Sequence, residues 1–208
     1  MTRASKLVHV TTGPATLPVA AAVALAAAYW AGCAAGSPAG AAQHPPTSMF
    51  TSIGLDTCKP VKAAPDGKGW QCPALLPVYA AERGGRFFLA FGADARGHKA
   101  ALQSLAVPNT AVEHKSGRIT VEWRIKARAA GPAPYASIVR YFTHARGKAG
   151  EVLVVTKIGT GQSCHMAYVD ALANADAIVL ARAFADEKVA SFDCAATEPV
   201  WIGTGGKE

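Results

Sequence analysis

RITVEWRIK, residues 118–126, alternates at every position. Ile119, Val121, Trp123 and Ile125 share one parity, and Thr120, Glu122, Arg124 and Lys126 share the other. Successive side chains of a strand point to opposite faces, so the pattern predicts a strand with one apolar face and one wet face. A strand of that kind belongs to an antiparallel sheet rather than to a parallel sheet buried on both faces. Two more strand-like stretches follow: YASIVRYFTH at 135–144, which is aromatic, and EVLVVTKI at 151–158, which is rich in β-branched residues. Their connections, ARAAGPAP at 127–134 and HARGKAG at 144–150, are short, so an antiparallel meander is the simplest topology.

Two hairpins are expected before this meander. SIGLDTCKPV at 52–61 leads into AAPDGKGWQC at 63–72 through Pro65-Asp66-Gly67. Pro fixes φ, Asp tolerates the turn, and Gly accepts positive φ. PVYAAE at 77–82 and RFFLAFG at 86–92 are joined by Gly84-Gly85, a second hairpin signal. Residues 93–107 read ambiguously. Ala100, Leu102 and Leu105 suit a short helix that Gly97 weakens.

The chain closes with a helix over roughly 174–192. Asn174 is its expected N-cap, and Asp176 suits its first turn. Ile178, Ala181, Ala185, Val189 and Phe192 form an apolar stripe at helical spacing, with Arg182, Asp186 and Glu187 outside it. The stripe needs a surface to cover, and the sheet supplies one. VWIG at 200–203 is expected to add a short strand. The fold class is therefore α+β: an antiparallel β-meander sheet with one C-terminal helix packed on it.

The first 42 residues differ from the rest. Arg3 and Lys6 precede an apolar run, LPVAAAVALAAAYWAG at 17–32, and then small residues. This is the layout of a secretory signal peptide. Ala39-Gly40-Ala41 or Gly40-Ala41-Ala42 would suit signal peptidase, whereas WAGC at 30–33 resembles a lipobox that would place a lipid anchor on Cys33. Residues 43–50 read as a tether and 51–208 as a single domain. The full chain carries a net charge of +7; without the leader, 19 basic residues stand against 14 acidic ones, or +5. That balance suits an acidic envelope polymer, anionic lipid or an envelope protein as partner. No basic run interleaved with aromatics points to nucleic acid.

Beyond Cys33, four cysteines remain, and an even number in an exported domain favours disulfides. Four allow three pairings. Cys58 and Cys72 lie equally far from residue 65, so a hairpin folding there sets them opposite each other, and Cys164–Cys194 follows. The alternative use of Cys164 is as a nucleophile activated by His165. Neighbours on a strand point apart, however, and an oxidised sulfur cannot attack. The histidines show no i, i+3 or i+4 pairing, so neither a metal site nor a cofactor is expected. GTGQS at 159–163 lacks a phosphate-loop pattern, and no G-x-S-x-G elbow occurs. No catalytic residue is assigned. Three functions remain: a non-catalytic envelope binding module, an envelope hydrolase with a cleft near Asp170 and His165, and a small-ligand carrier with a pocket between helix and sheet.

The segment from Cys164 to Cys194 resembles a group of proteobacterial envelope proteins. The shared pattern falls on Cys164, Val169, Asp170, Ala171, Ala173 and Asn174, on Leu180, Ala181, Arg182, Ala185 and Asp186 of the helix, and on Phe192 and Cys194. In general layout the chain is also similar to invasion-associated locus B proteins, which are exported and disulfide-bonded. Both resemblances imply export, and neither implies an activity.

Overall fold

The alternation at 118–126 builds a strand near one edge of the larger sheet of a two-sheet domain. The computed structural model describes residues 45–63, 67–127 and 131–203. The leader read at 1–42, with Cys33, lies outside the described residues, as do Pro65 and Asp66 of the first turn. In chain order the strands are β1 (Thr47–Gly54), β2 (Lys59–Val61), β3 (Gly67–Cys72), β4 (Val78–Arg83), β5 (Arg86–Phe91), β6 (Asn109–Thr110) and β7 (Arg118–Lys126). Then come β8 (Ala133–Ala145), β9 (Lys148–Gly159), β10 (Gln162–Asp170), the helix α1 (Ala177–Lys188) and β11 (Val200–Ile202). Thr47 to Phe50, read as tether, are the first half of β1, which pairs antiparallel with β7. Apolar Met49 and Phe50 and β-branched Thr51 suit a strand better than a linker.

The expected meander forms as β7-β8-β9 and is continued by β10, within a larger sheet ordered β1-β7-β8-β9-β10-β11, with β6 beside β8. β11 joins β10 in parallel. The two hairpins do not extend this sheet. They make a second, four-stranded sheet, β2-β3-β4-β5. Gly84 and Gly85 take φ of 54° and 69° at its β4–β5 turn, a conformation that glycine adopts without steric cost.

The sheets pack through one apolar face each. Val121 and Trp123 of β7, Val139 and Tyr141 of β8 and Val154 of β9 meet Val78, Phe87, Leu89 and Phe91 of the second sheet. Trp123 and Phe91 meet edge to face at 5.4 Å. On the other face of the large sheet, Ile138, Leu153, Val155 and Val169 meet Ala177, Ala181 and Ala185 of α1. Two 3₁₀ turns, Ala95–Gly97 and Lys99–Leu102, occupy the stretch that read ambiguously. They cover the outer face of the small sheet with Ala95, Ala100 and Ala101.

Each interlayer core holds one disulfide. Cys58–Cys72 sits between the sheets and Cys164–Cys194 between sheet and helix. The register Lys59↔Gln71 and Pro60↔Trp70 centres the first hairpin on residue 65, as the cysteine spacing requires. Two formed disulfides fit an exported protein. Among the described residues no helix is long and apolar enough to cross a membrane.

Two further expectations are corrected. The polar face of β7 is wet only at Thr120 and partly at Lys126, because α1 lies over Glu122 and Arg124, which are 4% and 6% exposed. Asn174 is not the N-cap. The helix starts after Asp176, and Asn174 instead donates its side-chain N–H to the Asp170 carbonyl at 2.7 Å. A turn stapled by Asp170 and Asn174 delays the helix by one residue pair, since its backbone groups are already satisfied locally.

Candidate functional site

The helix is fastened to the sheet by charge as well as by its alanine stripe. Arg182 donates Nε to Glu122 Oε1 at 2.6 Å and Nη2 to Oε2 at 3.1 Å. Arg124 grips Asp186 through a second two-toothed contact, at 2.9 and 2.6 Å. Ser48 of β1 bridges the two pairs, accepting from Arg124 and donating to Glu122. The Tyr135 hydroxyl donates to Asp186 as well. Burial, and then the neighbouring Asp186 carboxylate, hold that phenol above its ordinary pKa. The Asp186 contact raises the Arg124 guanidinium against the opposing effect of burial. Every charge in the cluster is therefore paired, which is what makes its burial tolerable.

α1 rests mainly on β8, β9 and β10. The sheet face beside its first turn stays uncovered, and a groove of about 210 Å³ opens there. Ile138 and Leu153 lie in its floor, Phe142 and Ile178 in its walls, and Phe50 on its outer lip. Ile138, Arg140 and Phe142 share this face because residues two apart on a strand point the same way. Phe50 is 60% exposed, and Ala111 and Glu113, from the loop after β6, close one end. The polar rim is held back from the opening. Arg140 pairs with Glu151, and Glu122 is taken by Arg182 and Ser48. The site therefore offers an apolar floor with a few fixed charges around it, the usual composition of a small-molecule pocket.

Other residues singled out in the sequence lie elsewhere. Cys164 is oxidised and faces the helix-side core. His165 faces the other way, pairing in register with Thr156 and, one strand further, Ser137. A bulge at Met166 then puts Tyr168 on the same face as His165. Their rings meet edge to face at 5.6 Å and share a hydrogen bond of 3.0 Å. His165 is 1% exposed, and burial lowers its pKa to about 3. Asp170 stands about 16 Å further along the strand. Its Oδ1 accepts from the Leu172 and Ala173 amides at 3.0 and 2.9 Å. These two residues, named for a hydrolytic cleft, are thus a core histidine and a turn cap. Among the described residues no three His, Cys, Asp or Glu side chains gather as a metal site.

Phe50, Ile138, Leu153 and Ile178 carry the groove, and the sequence reading assigned none of them to a site. Ile178 was recognisable as the first member of the helix stripe, and it is half-buried where Ala181 and Ala185 are fully buried.

The fold and groove define an α+β, two-sheet domain with one disulfide in each interlayer core and a small apolar opening beside its helix. Compared with protein-family models, with curated proteins and with solved structures, the chain finds no match.

Proposed function

We propose that this chain is an exported, non-catalytic binding module of the cell envelope, and that it takes a small apolar ligand, or the apolar end of a larger one, between α1 and the sheet. The observation that carries this reading is the apolar rim of exposed Phe50 and half-buried Phe142 and Ile178 above buried Ile138 and Leu153, beside a helix that is clamped by two ion pairs. Covering apolar surface gains about 25 cal/mol per Å² removed from water, so an occupant that covers Phe50, Phe142 and Ile178 is rewarded. A groove of about 210 Å³ lies below the roughly 300–1,000 Å³ of drug-sized sites. The ligand portion inside is then a single ring or a short acyl segment.

The leader pattern at 1–42, the two disulfides and the resemblance of the 164–194 segment to proteobacterial envelope proteins support placement in the periplasm, free or lipid-anchored through Cys33. The basic balance supports an envelope protein or acidic polymer as a neighbour.

The test is titration with the neutral fluorophore N-phenyl-1-naphthylamine. Saturable binding is expected, and Ile178→Trp, which fills the groove, abolishes it while melting is unchanged. Equal binding by Ile178→Trp would overturn the assignment.

A further inference from the structure

A second groove, of about 640 Å³, runs between the β4–β5 turn, the segment after the second 3₁₀ turn and the chain leading into β11. Its size falls within the range of small-molecule sites, roughly 300–1,000 Å³. Arg83 and Arg86 face each other in register across Gly84-Gly85, so the tight turn sets two guanidinium groups side by side. Both lie near the Phe88 ring, with Cζ 4.0 and 6.0 Å from its centroid. Arg83 also donates Nη2 to the Ala101 carbonyl at 2.8 Å, which fixes its direction.

Two cations this close repel each other, and among the described residues neither has a carboxylate partner. The one acid lining the groove, Glu198, is paired with Lys99 at 3.3 Å. The groove therefore keeps a positive charge that the protein does not neutralise. Its remaining walls are apolar in part. Leu102 is 72% exposed there, and Tyr168 lines the groove with its ring packed on Trp201 at 4.9 Å. Paired arginines match the two oxygens of a carboxylate, phosphate or sulfonate.

We propose that this groove binds a small organic anion, its charged head on Arg83 and Arg86 and its apolar body against Leu102 and Tyr168. Phe88 and Tyr168 are 5% and 9% exposed, so the ligand must enter the recess. A dissolved molecule can do so and a flat lipid surface cannot.

The test uses the full chain and a matched pair of fluorophores. Anilinonaphthalene-8-sulfonate carries a sulfonate on the aromatic body that N-phenyl-1-naphthylamine presents without charge. Sulfonate-dependent binding is expected that weakens as salt rises. Arg86→Gln is expected to weaken it about tenfold, the scale of a lost charge-assisted contact. Arg86 is the decisive position, because its side chain makes no hydrogen bond among the described residues. Arg86→Lys should recover part of the loss, and Ile178→Trp should change nothing, which separates this groove from the one beside α1. Three results would overturn the proposal: sulfonate binding unchanged in Arg86→Gln, binding lost in Ile178→Trp, or arginine-dependent sedimentation with phosphatidylcholine–phosphatidylglycerol vesicles.

Discussion

Arg124 of β7 holds Asp186 of α1 by two parallel hydrogen bonds, Nε to Oδ1 at 2.9 Å and Nη2 to Oδ2 at 2.6 Å. Two residues along the strand, Glu122 holds Arg182, four residues back along the helix. Two strand residues rise about 6.6 Å and four helix residues about 6 Å. The two ion pairs therefore match with strand and helix running the same way. This match fixes where the helix stops covering the sheet, and hence where the groove opens.

The clamp is expected to be costly to break from one side. Asp186→Ala takes its two-toothed partner from the buried Arg124 guanidinium and leaves it Ser48 and the Glu122 carboxylate at 3.9 Å, and about 3 kcal/mol of unfolding free energy should be lost in urea titrations. Replacing both partners, as Arg124→Met with Asp186→Leu, should recover most of it, because burying a charge pair gains little over burying apolar groups. A single variant within 0.5 kcal/mol of wild type, taken as roughly the scale of an inert surface change, would show that the pair does not hold the helix.

The staple between sheet and helix closes a span of 30 residues. Changing Cys164 and Cys194 together to Ser should cost about 3 kcal/mol by freeing the unfolded chain. For a domain of this size the melting temperature should fall by roughly 10 °C. Lys99 and Lys157 also donate to the Cys194 and Phe192 carbonyls, so the segment has other holds and the variant should still fold. Loss of all cooperative unfolding would contradict this.

His165 makes stability depend on pH. Its pKa is lowered by burial to about 3, against 6.5 in the open chain. The unfolded state then takes up the proton first as pH falls. Its neutral form contributes full stability above about pH 6.5, and that contribution is lost toward pH 3 by on the order of 1.4 kcal/mol per unit. His165→Asn should be less stable at pH 7 but flatter between pH 6.5 and 4. Parallel pH profiles for the two proteins would refute the burial argument.

The strands were legible because their signals are local. The alternation at 118–126, the Gly84-Gly85 turn and the spacing of Cys58 and Cys72 each report on neighbours in the chain. The burial of Glu122 and Arg124 was not legible from that alternation. A polar face reads as wet until something covers it, and the cover here comes from residues sixty positions away. The complementary order of Glu122 and Arg124 with Arg182 and Asp186 is a usable signal, because two strand residues and four helix residues rise by nearly the same length. The second sheet was hidden for a related reason, since a hairpin pattern does not say which edge or face it joins. Asn174 misled because Asn suits both a helix cap and a turn, and Asp170 four residues earlier captured it for the turn.

The most direct test of the groove beside α1 is amide chemical-shift mapping of the labelled full chain during titration with N-phenyl-1-naphthylamine. Shifts are expected at Phe50, Thr120, Ile138, Phe142, Leu153 and Ile178, six residues of five elements that line the groove together. Shifts scattered over the surface, or gathered at the Arg83–Arg86 turn instead, would contradict it.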